Sequence, residues 1–210
     1  MSKSNSSYKT LAVAVVLSAA ALVHAGETPD FGVMDAEPNL AAWLDLAPLM
    51  SNSRVEKIRD GVDFIIDFNL ILNRPKRFFG AETVVKRHGI VQIGYRIVTE
   101  DFIVRMGGEG FQRTGKFANL AELHRYLTDS IVVDLIDYSE LDSLRRYRLK
   151  LELACISMSG LNLEPSPDSS TEDESALKYL FRHFLKLTGF GRDSFSGQTL
   201  LFSPAEVRQK

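Results

Sequence analysis

The stretch Val62–Leu72 constrains the fold more than any other. Its even positions, Val62, Phe64, Ile66, Phe68, Leu70 and Leu72, are all apolar, and three of the five odd ones are Asp63, Asp67 and Asn69. Strand side chains point alternately to the two faces of a sheet, so this alternation specifies a strand with one buried and one mostly wet face. Pro75 ends it. A partner strand runs from about Thr83 to Val98, with Val91, Ile93, Tyr95 and Ile97 on one phase. Gly89 and Gly94 within it predict a bulge or a close backbone approach. Thr99-Glu100-Asp101 makes a tight connection to a third strand, Phe102–Met106. Gly107-Gly108-Glu109-Gly110 lacks both the Gly-Lys-Ser/Thr and the βαβ surroundings of a phosphate loop, and reads as a flexible hairpin end.

A second half-buried strand is written by Tyr147, Leu149, Leu151, Leu153 and Cys155 alternating with Arg146, Arg148, Lys150 and Glu152. Ile131–Ile136 and about Ser194–Phe202 are further strand candidates. Two helices interrupt the strands. Asn119 and Glu122 have capping-box spacing ahead of Leu120, Leu123 and Leu127. Near the C-terminus, Ala176–Thr188 is stopped by Gly189 and gathers Leu177, Leu180, Phe181, Phe184, Leu185 and Leu187 on one arc. The pattern predicts a mainly β, α+β fold: an antiparallel β-sandwich or curled sheet with one mid-chain helix and one C-terminal helix.

Residues 1–25 read as a signal peptide. Lys3 and Lys9 precede an apolar run, Leu11–Val23, and Val23-His24-Ala25 places small or modest side chains before a cut at Gly26. That run is shorter than the roughly 20 residues a spanning helix needs, and no later stretch is long and apolar enough to span. The expected location is periplasmic or secreted. Cleavage leaves 185 residues and moves the formal charge from −2 to −4. Residues 26–53 form a lead-in broken by Pro29, Pro38 and Pro48, with a short helix Leu40–Ala47 capped by Asn39. Its Trp43 either packs against the sheet or belongs to an exposed docking peptide. Residues 54–210 read as a single β-rich domain with a polar loop at 162–175, where prolines, serines and acids crowd together. Cys155 is the single cysteine and lies on an apolar phase, so it reads as a buried thiol without an internal disulfide partner.

The acidic balance disfavours a nucleic-acid partner. No Gly-x-Ser-x-Gly, His-Glu-x-x-His or Cys/His cluster is present, and the residues suggest no metal or cofactor. The acidic turn Asp137, Glu140, Asp142 lacks the calcium-loop signature and reads as solvated. His124 reads as a surface histidine. The candidate binding residues are Arg74, Lys76, Arg77, Phe78 and Phe79, in a basic-aromatic turn, and Lys178, Arg182 and Lys186 on the C-terminal helix. The turn either presents its aromatics to anionic lipid or an acidic partner, or caps the core with its Phe pair. The helix either covers the sheet or lies on a membrane or in a partner groove. These features predict an exported, non-enzymatic, envelope-associated binding module whose partner is an envelope protein or an anionic membrane surface. The alternative is a periplasmic hydrolase-type enzyme, which would require His88, His124 or His183 to converge on a carboxylate in a pocket.

The succession of Asp60-Gly61 and a strand, a basic turn, a long strand ending Gly94-Tyr95-Arg96-Ile97-Val98 and a short return strand resembles the DUF4390 family of small exported bacterial proteins. So do the helix at Asn119-Leu120-Ala121-Glu122-Leu123 and the strand Tyr147-Arg148-Leu149-Lys150-Leu151-Glu152-Leu153. The resemblance covers about residues 54–158 and implies no enzyme activity and no catalytic residue.

Overall fold

The alternating stretches become the central strands of one antiparallel sheet. The computed structural model describes residues 28–76, 78–108, 111–129, 131–159 and 193–208. Along the chain it places β1 (Asp30–Ala36), β2 (Asn39–Asp45), α1 (Asn52–Arg59), β3 (Val62–Pro75), β4 (Ala81–Arg96), β5 (Asp101–Gly108) and β6 (Phe111–Phe117). There follow α2 (Leu120–Asp129), β7 (Ile131–Asp137), β8 (Arg148–Ser159), β9 (Asp193–Gln198) and the short α3 (Pro204–Arg208). Single 3₁₀ turns lie at Ala47–Leu49 and Tyr138–Glu140.

Six strands form one sheet in the order β6-β5-β4-β3-β8-β9, and β1-β2-β7 form a second. Every described pairing is antiparallel. The fold is therefore mainly β, built on two antiparallel sheets. Even residues of β3 (Phe64 to Leu72), odd ones of β4 (Val91, Ile93), even ones of β5 (Phe102 to Met106) and odd ones of β8 (Leu149 to Cys155) share one core. Leu40, Ala42 and Leu44 of β2 and Ile131, Val133 and Leu135 of β7 close it from the other side. Burying each such side chain contributes about 1.5–3 kcal/mol, so the two phase-locked sheets hold the fold without a disulfide.

Residues 39–45 form strand β2, not part of a helix over Leu40–Ala47. Leu40, Ala42 and Leu44 alternate at period two, and β2 pairs with β1 on one side and β7 on the other. The lead-in thus supplies part of the sandwich core. Trp43 falls on the opposite phase, away from the core, and its indole lies over Gly32, where a Cβ would come within 2.7 Å of Nε1. Of the two options for Gly89 and Gly94, close approach is the one realised. The ring of Phe68 occupies the space a Cβ on Gly89 would need, and Asp63 does the same at Gly94. The bulge sits elsewhere, where Leu72 faces Val85 and Asn73 faces Thr83, leaving Val84 as the extra residue.

Helix α2 carries the expected cap. Asn119 Oδ1 accepts from the Glu122 amide at 3.0 Å, and Glu122 Oε2 accepts from the Ala118 amide at 3.1 Å. Leu123 and Leu127 are fully buried beneath it. Gly107 and Gly108 continue strand β5 and pair with Gln112 and Phe111 of β6, so they form the last rungs at the end of the β5–β6 hairpin, whose residues 109–110 lie outside the described residues. The expected helix 176–188 and the loop 162–175 lie outside the described residues. The expected last strand is shorter than its range: Asp193–Gln198 pairs with β8, and Phe202 makes an isolated bridge to Tyr147.

Candidate functional site

The β3–β4 hairpin outruns the rest of its sheet. β8 accompanies β3 only as far as Asn73↔Arg148, and β5 leaves β4 at Gly89↔Gly108, but β3 and β4 pair on to Pro75↔Ala81. Two rungs, about 7 Å, therefore project beyond the last flanking strand. The Arg74 guanidinium donates to Glu82 at 2.9 Å and the Thr83 hydroxyl to Asn73 at 3.1 Å, which ties the base of the projection together. The hydrogen bond from Arg74 holds the Glu82 carboxyl below its ordinary value. At the tip the Lys76 amide donates to the Gly80 carbonyl at 3.1 Å, and Gly80 takes a φ of +78°, a conformation suited to glycine.

Phe78 and Phe79 sit on this tip, 84% and 92% exposed. The pair does not cap the core: the overhang carries it past Leu72, the last fully buried residue of β3. Arg74 and Lys76 flank it at the hairpin base. Arg77, Lys178, Arg182 and Lys186 lie outside the described residues.

Two further segments reach the same end of the molecule. Tyr147, 1% exposed, plugs this end of the core beside Phe202, their ring centroids 6.4 Å apart. Its phenol accepts from the Asp142 amide at 2.9 Å and so fixes the loop before β8, which carries Leu144, Arg145 and Arg146. Leu144 is 92% exposed. Backbone hydrogen bonds in both directions join Tyr147 and Phe202, and this places the exposed Leu200 and Leu201 alongside. Leu144, Leu200 and Leu201 are not legible from the sequence because their position depends on the β8 pairings. The one local signal is an isolated Leu in a polar turn, followed by two arginines.

Two of the three carboxylates of the acidic turn, Asp137 and Asp142, are engaged in turn formation. Asp137 accepts from the Ser139 amide at 2.7 Å, which lowers its pKa, and Asp142 accepts from the Leu144 amide at 2.9 Å. No metal-holding group of His, Cys, Asp and Glu occurs among the described residues.

A different set of polar groups lies on the outer face of the six-stranded sheet. Asp67 Oδ1 meets His88 Nε2 at 2.8 Å, and Gln92 donates to Asp63 at 3.0 Å. Burial raises the Asp63 pKa, against the Gln92 hydrogen bond and the nearby Arg105 charge. These groups come together through cross-strand register: Asp67 and His88 are diagonal neighbours on one face, two residues off the direct pairs Asp67↔Ile90 and Asn69↔His88. They are partly shielded on that face, and His124 is elsewhere. His124 is a half-buried residue, not a surface one: it lines a shallow hollow of about 490 Å³ with Asp45, Ala47, Pro48, Met50, Ser51 and Asn52, and its Nε2 is shielded without a partner. The described histidines do not converge, and His183 lies outside the described residues.

Among the described residues no helix is long and apolar enough to cross a membrane. No curated protein and no solved structure matches the chain significantly. The family model described as a domain of unknown function, DUF4390, matches residues 33–158, from β1 through β8. That span takes in the β1–β2 hairpin as well as the alternating strands, and the chain belongs to the DUF4390 family.

Proposed function

We propose that this protein is an exported, non-enzymatic, envelope-associated binding module that engages its partner through the β3–β4 hairpin tip. The observation carrying this reading is the exposure of Phe78 and Phe79, 84% and 92%, on a projection tied at its base by Arg74. Exposed aromatics side by side mark a contact surface more often than single exposed apolar residues do. Withdrawing both rings from water contributes about 3–6 kcal/mol at about 1.5–3 kcal/mol per ring. Cations near an anionic partner add about 1 kcal/mol each. The rings therefore contribute more than any single cation and are the better target for mutation.

Export follows from the cationic start, the short apolar run Leu11–Val23 and the small-residue cut before Gly26. The test is fractionation of the producing cell with N-terminal sequencing of the recovered protein. The wild type is expected with the envelope, beginning at Gly26. The Phe78→Ser/Phe79→Ser variant is expected in the soluble exported fraction with an unchanged melting temperature. An intact Met1, or a variant that distributes as the wild type does, contradicts the reading.

A further inference from the structure

We infer that the partner of this end of the sandwich is the surface of an anionic lipid bilayer, entered by three loop tips at once. The inference rests on the binding-module reading and names its partner. It is carried by the distribution of exposed apolar side chains and the charges adjoining them.

Seven large apolar residues are exposed among those described: Phe78, Phe79, Ile97, Val98, Leu144, Leu200 and Leu201. Five belong to the end where β3 finishes and β8 begins, since Asn73 pairs with Arg148 and Phe202 with Tyr147. They come from three separate segments, 76–80, 143–146 and 199–203. In two of these the apolar residue adjoins consecutive cations, as Lys76-Arg77-Phe78-Phe79 and Leu144-Arg145-Arg146. None of the three contains an acid. Carboxylates adjoin two of the tips and the hairpin base and pair with cations there: Glu82 with Arg74, Asp142 with Arg145, and Glu206 with Arg146.

Among the described residues, the exposed apolar turn at the opposite end differs in charge. Ile97 and Val98 are exposed there in the β4–β5 turn, but they are followed by Thr99, Glu100 and Asp101. An anionic surface would repel that turn and attract the other end, although the chain as a whole carries a formal charge of −2. Local arrangement, not overall charge, gives the molecule its polarity.

Phe78, Phe79 and Leu144 are exposed by 84–92% and come from two separate turns. A protein partner would need a pocket matched to each of three separate tips. A fluid interface accepts all of them, with apolar groups below the headgroups and cations level with the phosphates.

The test is sedimentation of full-length wild type and variants with vesicles of phosphatidylglycerol and phosphatidylcholine, with vesicles of phosphatidylcholine alone, and with native envelope fragments. All proteins carry the same N-terminus, so any contribution of the apolar run 11–23 is common to them. The wild type is expected to bind the anionic vesicles at least tenfold more tightly than the zwitterionic ones. Phe78→Ser/Phe79→Ser and Leu144→Ser are each expected to lose tenfold or more with unchanged melting temperatures. Equal binding to both vesicle types, or variants that bind as the wild type does, overturns the inference. Binding to envelope fragments but not to anionic vesicles overturns the lipid partner and leaves the binding-module reading standing. Binding to neither overturns both.

Discussion

Phe68 and Gly89 show how single residues set the sheet. They face each other across β3 and β4, and a Cβ at Gly89 would come within 2.3 Å of the Phe68 ring. Gly89→Ala must displace a fully buried aromatic, so it is expected to cost about 1–3 kcal/mol, as overpacked cores do. Chemical denaturation checks this, and a neutral result would mean that the ring has room to move. Strand phase has an equally direct test. Phe68→Asp buries an unpaired charge and is expected to cost several kcal/mol, on the order of the largest single-site effects. Asn69→Asp, one residue along on the outer face, is expected to be nearly silent. Equal thermal shifts for the two would contradict the assigned phase. The alternation that makes this contrast is visible in the residues themselves. What alternation does not reveal is that the outer face is not uniformly wet. Ile65 and Ala154 are buried there, at 3% and 4% exposure, and Asp63 and Asp67 are partly shielded.

At the scale of elements, the strongly periodic ones are legible in the sequence and the short ones are not. β3 and β8 each bury one phase of a long strand, and the α2 cap needs only residues three apart, so local pattern decides both. β2 reads as a helix in isolation because Asn39 looks like a helix cap. Its seven residues (Asn39–Asp45) take their conformation from pairing with β7, nearly a hundred positions later in the chain. Tertiary pairing overrides local preference in this way wherever the segment is short. α1 and β6 leave little trace for a related reason: α1 has eight residues, and β6 alternates weakly. The β4–β5 turn offers a test of electrostatics at this scale. Asp101 accepts from Arg96 at 2.9 Å and from Thr99, and these hydrogen bonds lower its pKa from 3.8 to about 2. The lowered value means that its stabilisation is present above the unfolded pKa and is lost as pH falls toward 2. Arg96 is 42% exposed, so solvent screening limits the effect to under about 1 kcal/mol. Asp101→Asn is expected to lower stability slightly at pH 7, and the gap from wild type is expected to close between pH 4 and 2. A gap of constant size across urea titrations at pH 7 and pH 2 would remove this role for the carboxylate.

At the largest scale, the described residues form a sandwich with two unlike ends. Arg87 helps to close one flank: its guanidinium donates to the Asp134 and Leu135 carbonyls of β7 at 3.2 and 2.7 Å. β4 runs sixteen residues, about 50 Å, from the hairpin tip to the turn at Ile97–Glu100. Val98 and Leu144, 96% and 92% exposed, therefore make a matched pair of apolar markers at opposite ends. Cys155 is the single cysteine and is buried, so a cysteine placed at either marker can be labelled selectively. The direct measurement attaches an environment-sensitive fluorophore to Leu144→Cys and to Val98→Cys and follows its quenching by iodide as anionic vesicles are added. The expected result is that the label at position 144 becomes shielded and shifts to the blue, while the label at 98 stays open to the quencher. Shielding at 98 instead, or equally at both, would contradict the assignment of the binding end.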